Sequence, residues 1–345
     1  MVFFLLPFLP VVLVLASPFP PDSRVHNDPH LNVTQSLPPA APKPTSVPHP
    51  SSGPGSHCFP AIGFETPSKV PASTEGWWCD PTSEFAFLGF SYEVTACQSL
   101  SQLQKEFADI RNTFHSRYVR LYGACDRSGF YDDIITAAWD NGLGVHALIW
   151  FGFDGTNQWI GRRDSLFETL HSNPKAKFVT RGVQFGSEPL FDSVLSPDDL
   201  AAQVLAAKQK FTVSELAFGY QENGGAQNVL DALDFINIHM LPFFAQDAST
   251  GRDMAWPLVL RDLNWFINHG KGKKMYFDEN GWPSVVSEGV QPNSPNAVAD
   301  ILNEHAYYTL LDEHCEDLKN VVEPGYGIYD SSGKLKFPFA PKTSC

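Results

Sequence analysis

From residue 85 onward, short apolar runs of four to eight residues alternate with longer stretches in which apolar positions recur every three or four residues. The short runs predict strands at 85–92, 118–122, 144–150, 182–185, 213–220, 235–239 and 274–277. The longer stretches predict helices at 99–114, 131–141, 157–170, 197–211, 226–233, 256–268 and 296–314. Several strands are apolar on both faces, as in a parallel sheet covered by helices. Ser196 before Pro197, Asp198 and Asp199 is a strong helix start: a capping hydroxyl, a proline in the first turn, then acids at the positive end of the dipole. Seven such βα units over residues 85–345 have the rhythm of a (β/α)8 TIM barrel. A doubly wound sheet is the alternative, but Gly89-Phe90-Ser91-Tyr92 stands where its glycine-rich phosphate loop would follow the first strand. After the last helix only Asn320-Val321-Val322 is available for an eighth strand before Glu323-Pro324-Gly325, so that strand is expected to be short or truncated.

Residues 1–16 form an apolar run closed by Val14-Leu15-Ala16 and followed at once by Pro18, Pro20 and Pro21. The run is too short and too rich in proline to span a bilayer, and it reads as a secretory signal peptide. Residues 17–57 hold eleven of the 28 prolines and almost no aromatics, the composition of a disordered linker. The sequon at Asn32 lies within it and is the candidate glycosylation site. Residues 58–84 are a cysteine-containing lead-in to the barrel domain, 85–345. A secreted, extracellular chain in an oxidising compartment can form disulfides.

Across the 345 residues, 24 Lys plus Arg against 38 Asp plus Glu give 24 − 38 = −14, a balance that argues against nucleic acid or an anionic membrane surface as the main partner, since either needs a basic patch. The six cysteines show no zinc-binding spacing, and the chemistry read below needs neither metal nor cofactor. They admit 15 pairings. Order along the chain favours Cys58 with Cys79; Cys97 and Cys125 follow adjacent strands, and Cys315 and Cys345 could tether the C-terminus.

In a barrel of this kind the chemistry sits at the carboxyl ends of the strands. The fourth strand runs into Gly186-Ser187-Glu188-Pro189 and the seventh into Asp278-Glu279-Asn280-Gly281-Trp282-Pro283. The two glutamates are 279 − 188 = 91 residues apart, three repeats, which sets them across the mouth of an eight-stranded barrel. Two carboxyls facing each other suit glycosidic bond cleavage, one protonating the leaving oxygen and the other attacking or activating water. Paired acids at strand ends also serve metals and proton abstraction, so the pair alone leaves the chemistry open.

Glu279-Asn280-Gly281-Trp282-Pro283-Ser284 closely resembles the nucleophile signature of glycoside hydrolase family 17, the endo-β-1,3-glucanases and related glucanosyltransferases. Arg120-Leu121-Tyr122-Gly123, Gly186-Ser187-Glu188 and Gly327-Ile328-Tyr329-Asp330 fit the same family in the same order, most like its secreted fungal branch. The resemblance implies a retaining double displacement on β-1,3-glucan, with Glu188 as acid/base and Glu279 as nucleophile. The carboxyls are then expected about 5–5.5 Å apart, against roughly 8 Å for inversion. His239 is the candidate positioner of the nucleophile. Tyr92 is expected to line the subsite beside the scissile bond, and Trp150, Phe151, Phe153 and Trp282 to offer flat faces for sugars. Ser187 stands where the family has asparagine bonding the sugar 2-hydroxyl, a change that points toward altered efficiency or transfer. The expected partner is a β-glucan of the cell wall, met by a monomer. A wall-bound glucan-binding protein that has lost turnover through its short eighth strand is the second reading.

Overall fold

The computed structural model describes residues 57–84, 87–152, 156–207, 211–240, 255–280, 312–313, 328–329, 332–335 and 339. All of them lie within the unit Ser52–Cys345. The expected leader, linker and Asn32 lie outside the described residues.

The elements follow one another as β1 (Gly89–Glu93), α1 (Leu100–Phe114), β2 (Tyr118–Tyr122), α2 (Phe130–Asn141), β3 (Gly144–Ile149), α3 (Gln158–Ser172), α4 (Ala176–Val179), β4 (Thr180–Ser187), α5 (Pro197–Ala207), β5 (Phe211–Glu215), α6 (Ala217–Glu222), α7 (Gln227–Ala232), β6 (Ile236–Met240), α8 (Ala255–His269), β7 (Met275–Asn280) and β8 (Asp312–Glu313). One parallel sheet runs β7-β6-β5-β4-β3-β2-β1-β8. This is a nearly closed (β/α)8 barrel. The two-residue β8 pairs Phe90 with Asp312 and Ser91 with Glu313, and among the described residues no ladder joins it to β7. One seam is therefore unsealed.

Two expectations are corrected. The strand beside β1 uses Asp312–Glu313, at the end of the stretch expected to be helical; Asn320-Val321-Val322 lies outside the described residues. The strand expected over 213–220 ends at Glu215, and Ala217–Glu222 turns into α6. A short apolar run is compatible with either element when buried on both sides, and here the chain has reached the end of the barrel wall.

Helix α1 shows how sequence places the outer layer. Ser99 caps it by accepting from Gln102 N at 3.3 Å, and Leu103, Phe107, Ile110 and Phe114 form its buried stripe. Burying such side chains is worth about 1.5–3 kcal/mol each before entropy. Residues that alternate toward the inside fill the barrel in layers. At its amino-terminal end Tyr118, Tyr276, Phe235 and the buried His146 pack ring against ring. Below them the Glu84 carboxylate accepts from the hydroxyls of Tyr118 and Tyr276 and pairs with Arg181 at 2.9 Å. The lead-in is thus bonded into the barrel floor, and Trp77 Nε1 adds a bond to Phe178 O at 2.7 Å. Cys58–Cys79 and Cys97–Cys125 are disulfides, as their order suggested; Cys315 and Cys345 lie outside the described residues. No helix among the described residues is long and apolar enough to cross a membrane.

Candidate active site

Two irregularities in the ladder aim the site residues. Between β4 and β5 the register passes from Gln184↔Thr212 to Ser187↔Ser214, three residues against two. Gly186 takes up the extra residue at φ +87°, and a side chain there would strike the Phe151 ring. The next turn puts Glu188 at φ +54°, a conformation costly for a non-glycine residue and held by Glu188 N bonding to Ser214 O at 2.7 Å. Between β6 and β7 the register passes from Ile238↔Phe277 to His239↔Glu279, so Asp278 is the extra residue. Strict alternation would turn Asp278 and Glu279 to opposite faces; the bulge lets both reach inward.

They converge on Arg120 of β2, which is fully buried. Its guanidinium pairs with Glu279 through Nη1 and with Asp278 at 3.4 Å through Nε. It also donates to Gln184, Ser91, Ser187 and Ser214 at 3.0–3.2 Å. Above it His239 lies between the two glutamates. Its Nδ1 is 2.7 Å from Glu188 Oε1 and its Nε2 is 3.4 Å from Glu279 Oε1. One oxygen from each glutamate and a ring nitrogen of His239 all lie within 4.8 Å of one another. Such a trio has donors for a cation, but Arg120 and His239 already supply positive charge to both carboxylates. The Glu279 side chain is 10% exposed and that of Glu188 21%, so both open to the mouth while the cations beneath are sealed.

The charge pattern shifts three groups the same way. Burial alone would depress His239, but Glu279, Asp278 and Glu188 outweigh it and lift it to about 9. Burial, with Glu188 adding repulsion, raises Glu215 to about 8 against the bonds donated by Leu216 N and Leu190 N. Burial and Glu188 likewise raise Asp192 to about 6. A group whose folded value is raised favours the fold below its unfolded value, and that contribution is lost as pH rises through the folded value. Thermal stability is therefore expected to decline as pH rises from about 4 through about 9. Glu215→Gln, which has nothing to ionise, should decline less steeply in melting curves taken across that window; an identical slope would contradict the assignment.

The structure gathers Glu188, Glu279, His239 and Ser187 at one point. Ser187 Oγ accepts from Arg120. His239 makes its shorter contact with Glu188, not with Glu279 as expected. Tyr92 is a correction: its ring packs on Phe107 of α1 and its hydroxyl donates to Glu106, so it faces the helical layer while neighbouring Ser91 faces inward. Phe151 is buried against Trp159. Trp150 sits half-buried at the end of β3 with its ring 5.1 Å from that of Tyr122, which in turn lies 5.6 Å from the Arg120 guanidinium. Phe153 and Trp282 lie outside the described residues. Arg120, Asp278 and Ser214 were not anticipated as site residues. The available signal was a lone arginine at the centre of the apolar strand Tyr118-Val119-Arg120-Leu121-Tyr122, since a charge on a buried strand must be paired.

Residues 89–322 match the BtgE/BtgC glycoside hydrolase domain. A probable glucan endo-1,3-beta-glucosidase of Aspergillus oryzae is 24% identical over 258 residues, 66% of this chain and 54% of that protein, so the chain spans about half the length of this curated relative. A glycoside hydrolase family 17 beta-1,3-glucanosyltransferase of Rhizomucor miehei shares the fold at a TM-score of 0.60 with 16% identity, covering 74% of this chain and 97% of that one. A beta-glucuronidase of Bifidobacterium dentium shares it more distantly, at a TM-score of 0.51 and 13% identity over 73% of this chain and 45% of that one. With the domain match covering most of its length, the chain belongs to the family of the BtgE/BtgC glycoside hydrolase domain.

Proposed function

We propose that this protein is a secreted retaining glycosidase or glucanosyltransferase acting on β-1,3-glucan. The observation that carries this reading is the approach of Glu188 and Glu279 to within 4.8 Å through their nearest oxygens, at the mouth of the barrel. Two carboxyls brought this close suit direct attack by one of them, the retaining arrangement. Glu279, ion-paired to buried Arg120, attacks the anomeric carbon. Glu188, on the opposite rim and more open, protonates the departing glycosidic oxygen. The glycosyl-enzyme then passes its sugar to water or to a second sugar hydroxyl, with Glu188 as base. Trp150 and Tyr122 offer aromatic surface beside the cleft. Two disulfides and the leader-like start of the chain favour an extracellular setting.

The test uses the purified full chain with laminari-oligosaccharides, following products by chromatography and the anomeric configuration by NMR. Products of retained β-configuration, shorter or longer than the substrate, are expected. Saturable binding without products would favour the second reading, a glucan-binding protein, for which the unsealed seam at β8 speaks. Glu188→Ala should lose about 10²–10⁴-fold on natural glucan and far less on an aryl glycoside, whose leaving group needs no proton. Added azide should restore turnover and yield a β-glycosyl azide. An equal loss on both substrates would remove Glu188 from the acid role.

A further inference from the structure

Glu188 is the end of a buried hydrogen-bonded chain. Asp278 Oδ2 accepts from the Ser214 hydroxyl, Ser214 Oγ lies 2.5 Å from His239 Nε2, and His239 Nδ1 lies 2.7 Å from Glu188 Oε1. The directions along this chain follow from valence. A carboxylate only accepts, so the single Ser214 hydrogen goes to Asp278. Arg120 Nη2 lies 3.1 Å from Ser187 Oγ, 3.0 Å from Ser214 Oγ and 3.2 Å from His239 Nε2, three neighbours for two hydrogens. With the Ser214 hydrogen on Asp278, the 2.5 Å contact between Ser214 Oγ and Nε2 needs a hydrogen on Nε2, and the two Arg120 hydrogens then go to the serines. The Nε2 hydrogen is fixed, and Nδ1 is the nitrogen free to gain or lose a proton opposite Glu188.

We infer that His239 shares the catalytic proton with Glu188, so that the acid/base is the Glu188–His239 pair and not Glu188 alone. This rests on the retaining glycosidase reading above. In the resting pair the proton sits on Nδ1 and Glu188 is a carboxylate. When sugar displaces water from the mouth, the Nδ1–H bond breaks and an O–H bond forms at Oε1, leaving neutral imidazole and a carboxylic acid. Glu188 then gives that proton to the departing oxygen. In the second half-reaction Glu188 takes a proton from the incoming water or sugar hydroxyl and returns it to Nδ1. One proton leaves and one enters, and no other reactant is needed.

The surroundings suit such a store. Among the described residues, His239 faces Glu188 and Asp192 from β4 and its following turn, Ser214 and Glu215 from β5, Asp278 and Glu279 from β7, and the cation Arg120 from β2. An excess of carboxylates over cations holds one proton in the site without specifying which atom bears it, and two interacting groups then titrate as a pair. The lifted value of His239, about 9, agrees with a proton kept well above the range of a lone carboxyl.

His239→Asn separates proton sharing from positioning, because asparagine can still donate a hydrogen bond near the Nδ1 position but does not titrate. The alkaline limb of kcat/KM is expected to move to lower pH by more than about one unit, with the acidic limb nearly in place. A uniform drop in rate with both limbs unmoved would overturn proton sharing and leave His239 a positioning residue. A second arm needs no turnover. In ¹⁵N-histidine NMR of the full chain, His239 Nε2 should remain protonated while Nδ1 titrates, and Glu188→Gln should lower that midpoint by more than about one unit. A midpoint indifferent to Glu188→Gln, or a fixed Nδ1 hydrogen, would overturn the inference. A wild-type chain silent on every glucan would instead remove the glycosidase reading, and the NMR arm would still decide whether the proton is shared.

Discussion

Glu279→Gln is expected to cut turnover of laminari-oligosaccharides by more than about 10⁴-fold while leaving their binding within about threefold. Glutamine fills the same volume and can still accept from Arg120, so the cleft keeps its shape. What disappears is the charge and the nucleophilicity, and with them the covalent intermediate that divides one difficult displacement into two easier ones. The loss should fall on kcat, because the carboxylate acts on the transition state far more than on bound sugar. Stopped assays with the variant and calorimetric titration with an oligosaccharide check both halves. Undiminished turnover would falsify the nucleophile assignment, and binding lost together with turnover would mean that Glu279 shapes the cleft instead. A small residual rate on aryl glycosides is compatible with the assignment, since their leaving groups depart without help.

Much of this site was legible in the sequence, and what was not has a common cause. The two glutamates announced themselves by standing at strand ends in recognisable surroundings, Gly186-Ser187-Glu188 and Glu279-Asn280-Gly281-Trp282. The strand at 118–122 and the helix over 99–114 followed from apolar periodicity, and the structure has both. Alternation then misled in two ways. Tyr92 was placed at the mouth because it ends β1, although Ser91 faces Arg120 and its neighbour in a regular strand must face away. In the sequence Asp278 is only the residue before Glu279, since alternation turns the two to opposite faces, and only the bulge opposite Ile238–His239 brings it in. Bulges depend on pairing between distant strands and leave little local trace. Gly186 was such a trace, a left-handed glycine pressed against Phe151.

Arg120 is the residue on which these polar rows depend, and its removal should be the most damaging single change in the barrel. In Arg120→Met a fully buried guanidinium is lost while Asp278 and Glu279, its ion-pair partners, remain inside. Breaking a buried pair by removing one partner costs about 3–5 kcal/mol, because the remaining charge is left uncompensated. For a domain of this size that corresponds to a fall in Tm on the order of 10 °C. Turnover should fall as well, by more than about 10²-fold, since Glu279 loses the cation that orients it. The origin of the cost can be separated from simple loss of packing. In the double variant Arg120→Met/Asp278→Asn one of the two stranded carboxylates becomes neutral, so much of the lost Tm should return although the volume of the arginine does not. If the double variant is no more stable than Arg120→Met, the penalty lies in packing and in the hydrogen bonds to Gln184, Ser187 and Ser214. Arg120→Lys divides the question further. It restores a charge without the planar fork, so it should recover more stability than activity, because one ammonium cannot hold Glu279, Asp278 and four further side-chain oxygens at once.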